Sequence, residues 1–187
     1  MAIKSELKEE RRLELLNAAS ELLAFNPTAS LAEIAEYARI GKATLHRYFA
    51  SRDELMLALG YRALALVSHA IEQSQLEQGM ALDALERLVQ ALIPLADKLY
   101  FLVNERILDT HAEFLSAESA SEEPILLLIQ RGQGQGEIRA DLSAEWILHQ
   151  MNYALFATWQ SVYDGKLARR DAAPWLMSFL FKGISAT

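Results

Sequence analysis

The chain contains no cysteine. That excludes disulfide staples and thiolate metal sites, and it fits a reducing cytoplasm. No apolar run approaches the ~20 residues that a bilayer span needs. Met1 to Arg12 alternates charge and lacks the apolar core of a secretory signal. The expectation is a soluble cytoplasmic protein with no membrane partner. Strand-like alternation is missing, and so is any internal repeat. Also missing are a metal-spaced histidine pair, a phosphate-binding glycine loop after a strand, and a nucleophile beside a base. No catalytic residue, metal or cofactor is therefore expected, and an enzyme is the weaker reading.

What is present is apolar and helical. Of 187 residues, 52% are hydrophobic, ample for a core. Leu15, Leu16, Ala18, Ala19, Leu22 and Leu23 repeat at helical spacing, and Asn26-Pro27 ends that stripe. Ser30 and Glu33 stand three apart as a capping box ahead of Leu31, Ile34, Ala35 and Ala38. Arg39-Ile40-Gly41 then reads as a tight turn and Lys42 to Phe49 as a third short helix. Ser51, with Glu54 again three residues on, caps a fourth that runs toward Gln75. Beyond Gly79 the pattern predicts helices ending near Pro94, from about Ala96 to Leu115, and from Glu123 to Arg131. Gly132, Gly134 and Gly136 read as a flexible connection. A long helix from about Ser143 to Tyr163 and a last one from about Ala172 to Ile184, capped by Asp171, complete the chain. The expected fold is all-α: a helix-turn-helix domain over residues 1–50 and a larger helical domain over 51–187.

Net charge is −7, unpromising for a polyanion partner, but it is unevenly spread. Up to Gly60 there are eight basic and nine acidic residues; the remainder carries ten and sixteen. From Arg39 to Arg52 there are four cations and no acid. Phosphate attraction is screened within ~8–10 Å, so the local patch decides. On the third helix Leu45 and Phe49 point to one side, where Leu31, Ile34 and Ala35 can receive them. Lys42, Ala43, His46 and Arg47 lie on the other side, with Thr44 and Tyr48 on its flanks. With Arg52, these are the candidate contacts to double-stranded DNA: donors for phosphate and guanine, and a small residue where close approach is needed.

These residues resemble a known family. Leu15-Leu16-Asn17-Ala18-Ala19, Ser30 through Ala35, Ala43 through Phe49 and Ser51-Arg52-Asp53-Glu54-Leu55 look like the N-terminal domain of TetR-family regulators. Gly136 through Leu142 resembles the loop before the penultimate helix of many members. The resemblance implies an all-helical homodimer whose recognition helices enter successive major grooves of a palindromic operator. It also implies a C-terminal domain that takes a small-molecule effector, with repression as the usual mode. The chain departs from the family pattern at Arg39 and Ala43, where glycine is usual. It departs again at Gly41, in place of serine or threonine, and at His46, in place of a DNA-contacting tyrosine.

The C-terminal half supports this reading. Trp175, Leu176, Met177, Phe179, Leu180, Phe181 and Ile184 make the last helix apolar nearly all round, and the helix before it carries Trp146, Ile147, Leu148, Met151, Leu155, Phe156, Trp159 and Val162. Two such helices per subunit could pair with their copies as a four-helix bundle, or be buried core. Polar residues interrupt apolar faces at Asn104 and His111, and on the long helix at Asn152, beside Trp159 and Tyr163, and at His149, beside Phe156. Internal hydrogen bonds or an apolar or aromatic effector could satisfy them, and Asn104, His111, Asn152 and Trp159 are the candidate ligand contacts. The rival to a ligand-responsive repressor is a helical sensor or scaffold of the same fold that does not bind DNA specifically.

Overall fold

A computed structural model describes residues 2–96, 98, 101 and 105–184; for residues 2–5, 24 and 25 it describes the backbone alone. Every regular element among the described residues is helical. Eight α-helices are described: α1 (Ala2–Phe25), α2 (Leu31–Tyr37), α3 (Lys42–His46), α4 (Arg52–Gln73), α5 (Ala81–Leu92), α6 (Ala112–Gly134), α7 (Ala144–Tyr163) and α8 (Arg169–Ile184). Short 3-10 turns occupy Ile93–Leu95 and Leu108–Thr110.

The chain divides into two compact units. One comprises Met1–Arg62 with Glu105–Thr110; the other comprises Ala63–Asn104 with His111–Thr187. The division falls within α4. In the first unit α1 packs on α2 and α2 on α3, closing over Leu15, Leu16, Ala19, Ile34, Ala35, Leu45 and Phe49, all buried. Leu108 anchors the later segment of this unit and is buried too.

In the second unit α5 shows the clearest sidedness. Ala81, Ala84, Leu85, Leu88, Val89 and Leu92 are buried, a stripe at helical spacing. It packs on α6 and α8, while α7 lies between α6 and α8. Two arginines hold the corner between α4 and α5. Arg87 donates to the carbonyls of Ser74, Gln75 and Gln78 at 2.7–3.0 Å, and Arg131 to those of Glu77 and Gly79 at 2.8 and 3.4 Å. By length and composition α4 could cross a bilayer. Its apolar residues Leu55, Met56, Leu59, Leu64, Val67 and Ile71 are instead buried in the protein.

Several boundaries differ from the sequence reading. The single helix expected from Ala96 to Leu115 is interrupted: residues 105–107 are not helical, a 3-10 turn follows, and α6 starts at Ala112 with His111 as its N-cap. Thr110 Oγ1 donates to the Ile107 carbonyl at 2.7 Å, a local bond that competes with helix continuation. The helix expected from Glu123 is the C-terminal half of α6, which carries Pro124 inside it. Gly132 is no flexible link. It lies buried within α6, where a Cβ would meet Ile138 and Ala81 at 2.7–2.9 Å. Asp171 sits in the first turn of α8 rather than capping it.

Candidate nucleic-acid interface and ligand groove

The start of α2 is fixed by reciprocal capping. Ser30 N donates to Glu33 Oε2 at 2.8 Å and Glu33 N donates to Ser30 Oγ at 3.3 Å. The bonds from the Ser30 backbone and hydroxyl hold the Glu33 carboxyl below its usual range. At the far end Arg39 N donates to Glu36 O and Ile40 N to Ala35 O, each at 2.9 Å. Arg39 turns the chain with φ of 55°. This left-handed conformation suits glycine, so the arginine bears strain there. Gly41, with φ −70° and ψ 143°, starts α3 without a side-chain cap.

The sides of α3 divide as expected. Leu45 and Phe49 are wholly buried, whereas Lys42, Ala43, His46 and Arg47 are exposed and Thr44 and Tyr48 half-buried. The helix ends at His46, earlier than expected. Arg47 N and Tyr48 N bond three residues back, to Thr44 O at 3.2 Å and Leu45 O at 2.9 Å, which tightens the last turn. Arg47 Nη2 also donates to Thr44 Oγ1 at 3.3 Å. Arg52 is half-buried and donates to the Pro27 carbonyl at 3.0 Å, so it ties α4 to the end of α1. Beside it, Ser51 Oγ accepts from Glu54 N at 3.1 Å, and Glu54 Oε2 accepts from Ala50 N at 2.7 Å. Arg12, whose guanidinium lies over the Phe49 ring, escaped the sequence reading because nothing local couples residues so far apart in the chain.

In the second unit a cleft of about 430 Å³ opens between α6 and α7. Asn152 Nδ2 donates to Glu122 Oε1 across it at 3.2 Å. Burial pushes the Glu122 carboxyl above its usual range, partly offset by the Asn152 bond and the nearby His149. His149 meets Tyr153 edge-on at 4.8 Å. Further along α7, Trp159 stacks on Tyr163 at 5.3 Å and on Phe156 at 6.2 Å. Asn152 and Trp159, two turns apart, share a side of the helix. The half-buried His111 occupies the N-cap position of α6 without a side-chain capping bond, and Asn104 lies outside the described residues. Glu122 is the addition that the structure makes; His149 was already legible beside Phe156 on the long helix. Glu122 was missed because the sequence reading began that helix one residue later.

The terminal helices each divide into a buried and an exposed side. On α8, Leu176, Met177, Leu180 and Ile184 are buried, while Trp175 and Phe179 are 64% and 72% exposed. On α7, Trp146 and Tyr153 are about half exposed. The last helix is thus part core and part bare aromatic surface.

Two short helices around a tight turn, the second locked by Leu45 and Phe49 with its cations outward, define a helix-turn-helix regulator. Residues 15–59 match the profile of the bacterial regulatory proteins of the tetR family. The chain is 28% identical over 183 residues to the HTH-type transcriptional repressor LfrR of Mycolicibacterium smegmatis, covering 98% of this chain and 95% of that one. It is 29% identical over 174 residues to the HTH-type transcriptional regulator NfxB of Pseudomonas aeruginosa, covering 91% and 92%. The crystal structure of LfrR from Mycobacterium smegmatis in complex with proflavine superposes with a TM-score of 0.81 at 26% identity, covering 97% of this chain and 99% of that one. Residues 15–59 thus carry the DNA-binding profile of the tetR family, and over nearly its whole length the chain is similar to transcriptional regulators.

Proposed function

We propose that this regulator is a homodimeric repressor that binds a palindromic operator in the cytoplasm and is released by a small apolar or aromatic effector. Residues 1–50 supply the reading head and residues 51–187 the effector site and the dimer contact. The observation that carries the reading is the two-sidedness of α3. Its apolar residues are consumed by the core, leaving Lys42, Ala43, His46 and Arg47 exposed, with no acid between Arg39 and Arg52. Such a face attracts phosphate and offers donors to base edges. Trp175 and Phe179, bare on α8, suit a self-complementary contact with a second copy. The groove between α6 and α7 suits the effector, whose binding to one of two conformations would shift operator occupancy.

Selection of bound duplexes from a random pool, followed by titration at several salt concentrations, tests this proposal. The expected product is an inverted repeat bound by two chains, with affinity falling steeply as salt rises. A pool that shows no enrichment at low salt would overturn it.

A further inference from the structure

We propose that Arg139 is the positioning residue of the subunit contact, holding the last turn of α8 so that Trp175 and Phe179 meet a second copy at a fixed angle. The inference rests on the dimer reading above and adds the device that sets it. Carbonyls at the C-terminal end of a helix have no partner along the helix. On α8 two of them are met from the loop between α6 and α7: Arg139 N donates to Ile184 O at 2.8 Å, and Arg139 Nη1 to Gly183 O at 3.4 Å. The negative end of the helix dipole also favours a cation there. Asp141 holds the other edge of the guanidinium, with Nε donating to Oδ1 at 2.7 Å and Nη2 to Oδ2. An exposed pair of this kind adds little stability by itself. Its two-pronged geometry, which needs the planar fork of arginine, fixes where Nη1 points. The loop is anchored in turn. Gln133 Nε2 donates to Arg139 O at 3.1 Å and to Leu142 O at 2.8 Å, and Ile138 is buried against Gly132. Glu137 Oε2 accepts from Leu82 N at 3.2 Å, in the first turn of α5, where Met80 supplies no side-chain cap. One loop therefore caps the start of α5 and the end of α8. Gly183 lies about one turn beyond Phe179 and two beyond Trp175, on the same side of α8. A held last turn presents those bare rings already ordered, whereas a frayed one must be ordered when the copies meet.

The test uses the full-length protein, with the dimer dissociation constant read by sedimentation equilibrium. Arg139→Gln should raise that constant about tenfold, the loss of a charged hydrogen bond. Helix content by circular dichroism should stay unchanged, and faster amide exchange should be confined to the last turn of α8. Arg139→Lys keeps the charge but not the fork, so it should recover part of the loss. Asp141→Asn should weaken the dimer in the same direction by less, and it carries the test if Arg139→Gln fails to fold. Arg170→Gln removes the arginine–aspartate pair at the other end of α8 and should leave the dimer unchanged. A dissociation constant unmoved in Arg139→Gln, or in Asp141→Asn where only that variant folds, would overturn the proposal. So would a weakened dimer matched by an equal fall in the unfolding stability of a monomeric Phe179→Glu background, which would make the role purely structural. A monomeric wild type would overturn the dimer reading and this one together, whereas a wild-type dimer indifferent to Arg139 would overturn this one alone.

Discussion

The guanidinium of Arg12 stands 5.2 Å from the centre of the Phe49 ring, so the middle of α1 covers the residue that ends the turn after α3. Phe49 is wholly buried, and the cation closes one face of its ring. Arg12→Met should keep the packing of the stem and lose the cation–ring attraction, costing about 0.5–1 kcal/mol in urea unfolding. Arg12→Ala should cost more, since the stem is also lost. Equal stability in both variants and the wild type would show that the contact contributes nothing.

Two departures from the family pattern should be open to improvement. Arg39 holds a φ of 55°, a conformation that costs an ordinary residue roughly 1–2 kcal/mol. Arg39→Gly should recover part of that, less about 0.5–1 kcal/mol for the freer unfolded chain. At Gly41 the nearest neighbour to an added Cβ would be Thr44 Oγ1 at 4.0 Å. Gly41→Ser therefore fits and should cap α3, adding a few tenths of a kcal/mol. Thermal unfolding that shifts downward in either variant would contradict these assignments.

Lys42→Ala and Arg47→Ala should each weaken operator binding by about 1–3 kcal/mol if the side chain reads a base edge. If it holds phosphate, each should instead flatten the salt dependence by about one unit. Arg47→Ala also frees Thr44 Oγ1 from its 3.3 Å bond, so Thr44→Val is the control for that loss. Unchanged affinity and salt slope in the double variant would remove α3 from the interface.

Phe179→Glu should give folded monomers, because a charge would stand where the most exposed aromatic of α8 lies. Analytical ultracentrifugation separates the outcomes. An intact dimer would move the subunit contact to another surface.

The capping box at Ser30 and Glu33 was legible because everything that makes it lies within four residues. The sidedness of α3 was legible for the same reason: helical spacing sorts Leu45 and Phe49 from Lys42 and His46 without outside help. The break before α6 was not legible, since no glycine or proline marks Glu105–Thr110 and an apolar pattern runs through it. The start expected at Glu123 was also wrong, since α6 runs from Ala112 to Gly134 and passes through Pro124. Gly132 carried the wrong implication as well, its missing side chain serving close packing against Ile138 and Ala81. The Glu122–Asn152 pair joins residues 30 positions apart, and only the antiparallel run of α6 and α7 brings them together.

The raised Glu122 carboxyl makes a stability prediction as well. A carboxyl that holds its proton more tightly when folded contributes stability below the ordinary carboxylate range. That contribution is lost as pH rises through its folded value. Glu122→Gln should therefore be more stable than the wild type near neutral pH, with the difference shrinking as the solution is acidified. Parallel stability curves for the two proteins between pH ~4 and ~8 would contradict the assigned burial.

The grip of Arg87 and Arg131 on five carbonyls at the end of α4 and the turn after it makes that helix a beam built in at one end. Such a beam resists being drawn along its axis, because sliding would break all five bonds together. The other end of the helix is tied locally, by Arg52 to the Pro27 carbonyl at 3.0 Å and by the Ser51 hydroxyl, which accepts from Glu54 N at 3.1 Å.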